Sequence, residues 1–302
     1  MSGLPPSRAH LDTERTNPRS AGLDRMSLGD AFDCLNDQDA GVAAAVAEAR
    51  EEIVAAIELV RERLRAGGRL IYVGAGTSGR LAVLDAVECP PTFQSDPEHI
   101  QALIAGGAPA VTGAVEGAED ARDGARADLD ERGVGPNDVV FGISAGGTTP
   151  FVAGALDHAR ERGAATVFLA CVPRELAGDR ADISIRVLTG PEVVAGSTRL
   201  KAGTATKLVL NAVSTLAMVG LGKVHGNRMV DVNTRSNVKL LDRGIRLVCE
   251  LCEIEREEGA RRLEEAEGSV KLAVLMERCE LDLAKARERL SAADDDLSRA
   301  LV

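Results

Sequence analysis

Two loops rich in glycine and hydroxyl-bearing residues are the stretches of this sequence best suited to chemistry. Residues 74–80 read Gly-Ala-Gly-Thr-Ser-Gly-Arg, and residues 144–150 read Ser-Ala-Gly-Gly-Thr-Thr-Pro. Glycine lets backbone amides approach a ligand closely, and a helix that starts at such a loop offers unpaired N–H groups at its positive end. We therefore expect each loop to hold a phosphate or a carboxylate.

The G-x-G-x-x-G spacing of the first loop also matches the fingerprint of dinucleotide-binding folds. That fingerprint expects an acidic residue about 20 positions later, at the end of a second strand. Residues 89–95 read Cys-Pro-Pro-Thr-Phe-Gln-Ser instead, which predicts a proline-broken loop. The hydroxyls of Thr77 and Ser78 suit one terminal phosphate better than a pyrophosphate. A tight strand-to-helix turn without any ligand is the other alternative.

The elements that position these loops follow from alternating apolar runs and helical patterns. Five strands are predicted, at residues 69–73, 100–104, 139–143, 166–171 and 183–188. Helices are predicted at residues 37–66 and 198–221, after each loop, and as a charged helix at 116–131. The connections are long enough for parallel crossovers, so we predict an α/β fold with a doubly wound, five-stranded parallel sheet. Both loops then lie at carboxyl ends of strands, where such sheets bind ligands.

Three regions are predicted along the chain. Residues 1–36 form a polar arm with a short helix near 28–35, and residues 37–238 form the domain with the sheet and both loops. Because these loops offer Gly, Ser and Thr without the aspartate or lysine of a P-loop, a sugar phosphate is the expected ligand of this domain. Residues 239–302 form a small C-terminal helical domain, with breaks near Gly259 and Gly268.

Composition excludes several functional classes. The 302 residues carry a formal net charge of -11, contain 2% aromatic residues and have no Trp. Such an acidic chain binds nucleic acid poorly and is repelled by anionic membranes. Residues 1–12 are polar and contain prolines, so we expect no signal peptide, and no apolar run is long enough to span a bilayer. A cytoplasmic protein is predicted.

The cysteines and histidines give no sign of a metal site. Six cysteines are scattered through a chain without secretion signals, which favours reduced thiols over disulfides. Cys249-x-x-Cys252 is the closest pair, and it lacks the second pair or the histidines that a zinc site needs. The four histidines are far apart in sequence, so no metal is expected.

Two acids stand near the expected ligand, Glu88 after the first loop and Glu119 in the run Val-Glu-Gly-Ala-Glu-Asp at 115–120. A carboxylate beside a phosphate is electrostatically disfavoured, so its pKa tends to rise into the range suited to general acid or base catalysis. Taken alone, either acid could also be an ordinary surface residue.

Several runs resemble the N-acetylmuramic acid 6-phosphate etherase family, whose sugar isomerase (SIS) domain is related to the glucokinase regulatory protein. The likeness covers nearly the whole chain. It is carried by Thr-Asn-Pro-Arg at 16–19, Ile-Tyr-Val-Gly-Ala-Gly-Thr-Ser-Gly-Arg at 71–80, Glu-Cys-Pro-Pro-Thr at 88–92, Val-Glu-Gly-Ala-Glu-Asp at 115–120 and Lys-Ala-Gly-Thr at 201–204.

This resemblance implies cleavage of the D-lactyl ether of N-acetylmuramate 6-phosphate, giving N-acetylglucosamine 6-phosphate and D-lactate by elimination and water addition. It implies Glu88 as the acid and base at C3 of the sugar and Glu119 as the base at C2. It implies no metal, flavin or nicotinamide cofactor. It also implies a homodimer, for which the helical face at 207–221, with Val209, Val213, Leu216 and Val219, is a candidate that core packing explains equally well.

The second loop departs from the family pattern, because Thr148 stands where these etherases usually have arginine. This loop is closer in style to the glucokinase regulatory protein, so a non-catalytic sugar-phosphate sensor is the first alternative and an aldose-ketose isomerase the second. Arg199 and Lys201 are candidates for a replacement charge. The predicted substrate and phosphate contacts are Gly76, Thr77, Ser78, Ser144, Gly146, Thr148 and Lys201.

Overall fold

The computed structural model describes residues 7–302, and its contacts divide the chain into two compact units. The first unit holds Glu98–Ser214 together with the described residues up to Ala86. The second holds Val87–Pro97 and Thr215–Val302. The predicted domain boundaries after residues 36 and 238 remain predictions.

A parallel sheet of five strands forms the centre of the first unit, in the order β2-β1-β3-β4-β5. Every residue of β1 and β3 is buried, as apolar runs covered by helices on both faces require. The predicted doubly wound α/β fold is confirmed, with strand ends within two residues of those expected. The strands are β1 Leu70–Gly74, β2 Ile100–Ile104, β3 Val139–Ile143, β4 Ala165–Ala170 and β5 Ile183–Arg186.

Three α-helices of the described chain precede the sheet where one helix at residues 37–66 was predicted. That prediction was wrong, because Gly41 and Ala49 interrupt the helix while the apolar spacing continues across both breaks. The helices are α1 Leu28–Ala40, α2 Val42–Glu48 and α3 Arg50–Arg65. The remaining helices that begin in this unit are α4 Gly76–Phe93, α5 Pro109–Thr112, α6 Arg126–Glu131, α7 Pro150–Glu161 and α8 Lys201–Gly220.

Helix α4 continues through Pro90 and Pro91 to Phe93, so the predicted proline-broken loop at residues 89–95 was wrong. Prolines inside a helix remove hydrogen bonds and normally end it. Here Cys89 and Phe93 are both buried, and this packing favours the last turn.

The charged helix predicted at 116–131 is also mostly absent. Gly117 adopts a left-handed backbone with φ of 72°, and a short 3-10 turn at Ala118–Asp120 follows it. Regular helix resumes only at Arg126, as α6. Glu119 therefore lies in an exposed turn rather than on a helix.

An ion pair joins the starts of the two central strands. Arg69 precedes β1 and Asp138 precedes β3, and Arg69 Nη2 lies 2.8 Å from Asp138 Oδ2 while Arg69 Nε lies 3.0 Å from Oδ1. The backbone N–H groups of Arg69 and Gly135 donate to the same carboxylate at 2.9 and 3.0 Å. This contact fixes the register of β1 against β3 at the edge opposite the glycine loops.

The second unit contains a short hairpin and five helices. Gly259 lies inside α10, so the predicted break there was wrong. The chain turns instead at Glu253, which has φ of 58°, and near Gly268 as expected. The elements are β6 Val224–His225, β7 Arg228–Met229, α9 Val238–Cys252, α10 Arg256–Glu265, α11 Val270–Arg278, α12 Leu283–Ala292 and α13 Leu297–Ala300.

Candidate functional site

Both glycine loops leave the same edge of the sheet. Gly74, the last residue of β1, pairs with Ile143, the last residue of β3. The first loop therefore begins beside the second, as the sequence predicted. This edge is the carboxyl end of the parallel strands, where ligands bind in this class of fold.

The first loop needs its glycines for steric reasons. A Cβ on Gly74 would lie 2.8 Å from the backbone nitrogen of Gly79, and one on Gly79 would lie 2.5 Å from Ile104 Cγ1. Gly76 has φ of 52°, in the left-handed region. The strand therefore turns sharply into α4 with its backbone uncovered by side chains.

The start of α4 is a candidate site for an anion. Thr77 and Ser78 are partly exposed, and their hydroxyls make no side-chain hydrogen bond among residues 7–302. The first N–H groups of a helix lack intrahelical partners, and the helix dipole is positive there. These hydroxyls and amides can together hold a phosphate.

The second loop uses its first hydroxyl internally. Ser144 is buried, its Oγ lies 2.8 Å from Thr149 Oγ1, and it accepts the Thr149 N–H at 3.4 Å. Thr149 is the residue before α7, and its side chain does not cap that helix. Gly146 is partly exposed and Thr148 is exposed, so both of these predicted contacts are accessible to a ligand.

The polar arm near the N-terminus packs against the second loop. A Cβ on Gly146 would lie 3.5 Å from Thr13 Oγ1 and 3.8 Å from Leu11 Cδ1. Both Thr13 and Leu11 are buried. Sequence reasoning missed this packing, because an isolated leucine and threonine in a proline-containing segment carry no periodic signal.

The same arm is tied to the segment between β5 and α8. Asn17 Nδ2 donates to the Pro191 carbonyl at 3.1 Å, and the Ser20 hydroxyl donates to the Val193 carbonyl at 2.7 Å. The Gly196 N–H donates to the carbonyl of Thr13 at 3.0 Å. The arm therefore holds the connection that leads to Lys201.

Glu192 occupies the positive end of α8. Its completely buried carboxylate accepts the backbone N–H groups of Lys201 and Ala202, both at 2.9 Å. Burial raises the pKa of Glu192 above its usual range, although the two N–H groups oppose this shift. Since a protein carboxylate already fills this helix end, α8 differs from α4, whose start is open. No local sequence pattern indicated this contact.

Lys201 makes no contact with either glycine loop through its ammonium group. Its Nζ donates to the Thr189 carbonyl at 2.8 Å and to Gln38 Oε1 at 3.3 Å. Burial lowers the pKa of Lys201, although the carboxylates of Glu192 and Asp39 oppose the shift. Its predicted role as a phosphate contact remains a prediction.

The two candidate catalytic acids are both exposed to solvent. Glu119 follows the left-handed Gly117 in the first unit. Glu88 lies on α4, in the stretch that belongs to the second unit. Both carboxylates are therefore accessible to a substrate from solvent.

A buried carboxylate on α4 was missed by sequence reasoning. Asp85 accepts hydrogen bonds from the Tyr72 hydroxyl at 3.0 Å, from Asn211 Nδ2 at 2.7 Å and from the Ser214 hydroxyl at 3.1 Å. Burial raises the pKa of Asp85, and these hydrogen bonds oppose the shift. Asp85 thereby links α4 to β1 and α8. The sequence signal that could have indicated this buried acid is its position between two apolar residues, Leu84 and Ala86.

Among residues 7–302, no group of three His, Cys, Asp or Glu side chains is arranged to hold a metal ion.

Helix α8 is long and apolar enough to cross a membrane by length and composition, and 56% of its most apolar window is buried within the protein. Core helices of globular proteins share these properties.

Comparison with known proteins identifies the family. The "Glucokinase regulatory protein N-terminal SIS domain" profile matches residues 52–160, and the "SIS domain" profile matches residues 114–216. An N-acetylmuramic acid 6-phosphate etherase of Synechococcus sp. strain CC9902 is 51% identical over 100% of this chain and 97% of its own length. The chain belongs to the N-acetylmuramic acid 6-phosphate etherase family. The etherase of Synechocystis sp., 54% identical over 97% of this chain and 96% of its own, agrees.

This membership confirms the family predicted from the sequence and favours the etherase over the regulatory alternative. Among solved structures, the phosphoheptose isomerase of Francisella tularensis matches 64% of this chain and 100% of its own, with a TM-score of 0.50 and 16% identity. That likeness confirms the SIS-type fold.

Proposed function

We propose that this protein is a carbon-oxygen lyase that cleaves the D-lactyl ether of N-acetylmuramate 6-phosphate. The observation that carries the proposal is the identity of about half of all residues to etherases over nearly their full length. The products are N-acetylglucosamine 6-phosphate and D-lactate. This places the enzyme in the breakdown of cell-wall amino sugars.

The proposed reaction runs through the open-chain aldehyde of the sugar. The C1 carbonyl acidifies the proton on C2, and Glu119 takes that proton while Glu88 protonates the departing lactyl oxygen at C3. An enal and D-lactate result. Glu88 then takes a proton from water as the oxygen adds at C3, and Glu119 returns its proton to C2. The exposure of both carboxylates supports this assignment, because each must reach a substrate.

The substrate phosphate is proposed to bind at the start of α4. Gly76, Thr77 and Ser78 supply amides and two hydroxyls that make no side-chain hydrogen bond within residues 7–302. Gly146 and Thr148 extend this site from the neighbouring strand end. Ser144 is proposed to shape the second loop, since its hydroxyl is bound to Thr149.

A cytoplasmic homodimer is the proposed assembly. Val209 and Val213 are completely buried, so they do not contribute to an open dimer face. Leu216 is 48% exposed and Val219 is 39% exposed. A further exposed apolar pair on α1 consists of Leu28 and Phe32. Light scattering tests this proposal, and a monomeric mass at working concentration would contradict it.

The activity is tested by incubating the protein with N-acetylmuramate 6-phosphate and assaying D-lactate. We expect the wild-type protein to release lactate and Glu88→Gln to lose at least about 100-fold in rate, which is the typical contribution of a general acid or base. Glu119→Gln should lose a similar factor and should also slow exchange of the C2 proton with solvent.

The control for these variants is Glu116→Gln, which alters another exposed acid in the run that contains Glu119. It should keep nearly full activity. Absence of lactate with folded wild-type protein would refute the proposed function. Full activity of Glu88→Gln would refute the role of Glu88 while leaving the reaction itself in place.

A further inference from the structure

A cavity of about 360 Å³ lies in the first unit, and its lining differs from the residues proposed to bind the sugar phosphate. Its walls come from the arm, from α1 and α2, and from the segment between β5 and α8. No residue of either glycine loop lines it. Its volume falls within the range of small-molecule sites.

Two cations face this cavity without an ion-pair partner among residues 7–302. Lys201 is 4% exposed, and its Nζ contacts two neutral oxygens, those of Gln38 and Thr189. An ammonium group has three N–H donors, so one remains for a ligand. Arg19 is exposed and forms no ion pair within the described chain. Among the described residues that line the cavity, Asp37 is the one carboxylate, so this lining is net positive.

The buried ammonium of Lys201 forms no ion pair within residues 7–302, and the carboxylates of Glu192 and Asp39 act on it only from beyond ion-pair distance. Removing a charge from water is costly unless hydrogen bonds and a counter-charge replace the lost hydration. Both oxygens of the nearby Glu192 already accept backbone N–H groups of α8. Burial lowers the pKa of Lys201, as expected for a cation whose charge is incompletely balanced. An anion in the cavity would provide that balance.

We propose that this cavity binds a small organic anion carrying a carboxylate or a phosphate, at a site separate from the glycine loops. The Arg19 guanidinium can hold two anion oxygens, and Lys201 contributes a point charge from the buried side. The Gln38 side chain uses its oxygen for Asn17 and Lys201, which leaves its NH₂ group for the ligand. This inference does not depend on the proposed function.

The test is a calorimetric titration of the full chain with inorganic phosphate and, separately, with acetate. Arg19→Ala removes an exposed side chain and should weaken binding about tenfold, the loss of one charge-assisted contact. Lys201→Gln should abolish binding at the cavity. The matched control is Arg25→Ala, which removes an exposed arginine of the same arm that does not line the cavity and should bind as wild type does.

Repeating the titration with Ser78→Ala distinguishes phosphate that binds at the first loop from phosphate that binds in the cavity. The cavity site should keep its affinity in that variant. If Arg19→Ala binds both anions as tightly as wild type, the inference is wrong, whatever the folding of Lys201→Gln. It is also wrong if phosphate affinity depends on Ser78 and not on Arg19, or if Arg25→Ala weakens binding as much as Arg19→Ala. Binding of acetate alone or phosphate alone identifies the anion class.

Discussion

The two glycine loops have similar compositions and begin side by side, yet they use their hydroxyls differently. In the first loop, Thr77 and Ser78 have no side-chain partner within residues 7–302 and flank an open helix start. In the second loop, Ser144 is buried and bound to Thr149. Residue type therefore predicts the capacity to bind an anion, whereas local hydrogen bonding decides which hydroxyl remains available for it.

The largest expected loss of stability comes from a substitution that should affect both glycine loops equally. Asp138→Asn weakens the ion pair between Arg69 and Asp138, which lies at the sheet edge opposite the glycine loops. This ion pair aligns β1 with β3. We expect a loss of about 3 kcal/mol in the free energy of unfolding near neutral pH, typical of breaking a buried ion pair. Urea unfolding measures it, with the exposed Asp128→Asn as the control.

The effect of Asp138→Asn should depend on pH. Burial opposes the shift, but hydrogen bonds from Arg69 and Gly135 hold the pKa of Asp138 below its usual 3.8. A carboxyl with a lowered pKa in the folded state stabilises the fold above pH 3.8 and loses that contribution as the pH falls through the folded value. The gap between wild type and variant should therefore shrink in acid. A constant gap would contradict the role of the ionised carboxylate.

A smaller loss of stability should distinguish the two loops, because their glycines are packed differently. Gly79→Ala places a Cβ 2.5 Å from Ile104 Cγ1 and 2.9 Å from the carbonyl oxygen of Gly74, so we expect a loss of about 2 kcal/mol in unfolding free energy. Gly146→Ala meets its nearest atom at 3.5 Å, and its unfolding free energy should stay within about 0.5 kcal/mol of wild type. Equal losses in thermal or urea unfolding would show that the two turns are packed alike.

The smallest expected effect comes from removing one serine hydroxyl from each loop. Ser78→Ala should weaken binding of a sugar phosphate about tenfold, or about 1.4 kcal/mol, without changing the free energy of unfolding. Ser144→Ala should instead lower the free energy of unfolding by about 1 kcal/mol, because Thr149 loses its partner. Calorimetry and urea unfolding of both variants decide the matter. The reverse pattern would assign Ser144 to the ligand and Ser78 to the turn.

The sheet could be predicted because its strands are continuous apolar runs bounded by glycine and turn residues, which are local signals. The helix through Pro90 could not, since its last turn is packed through Cys89 and Phe93, contacts that no local pattern encodes. For the same reason the sequence indicated an anion-ready start for α4 but did not reveal that Glu192 fills the start of α8.

The contacts of Asn17 and Ser20 also constrain how the chain acquires its structure during synthesis. Asn17 and Pro191 are 174 positions apart, so the arm leaves the ribosome long before its partner exists. At typical elongation rates of about 5–20 residues per second, that interval is roughly 10–35 s. The nascent arm therefore remains undocked and accessible to chaperones and proteases until strands β1 to β5 have been translated. Its docking consequently cannot precede synthesis of β5 and the segment that follows it.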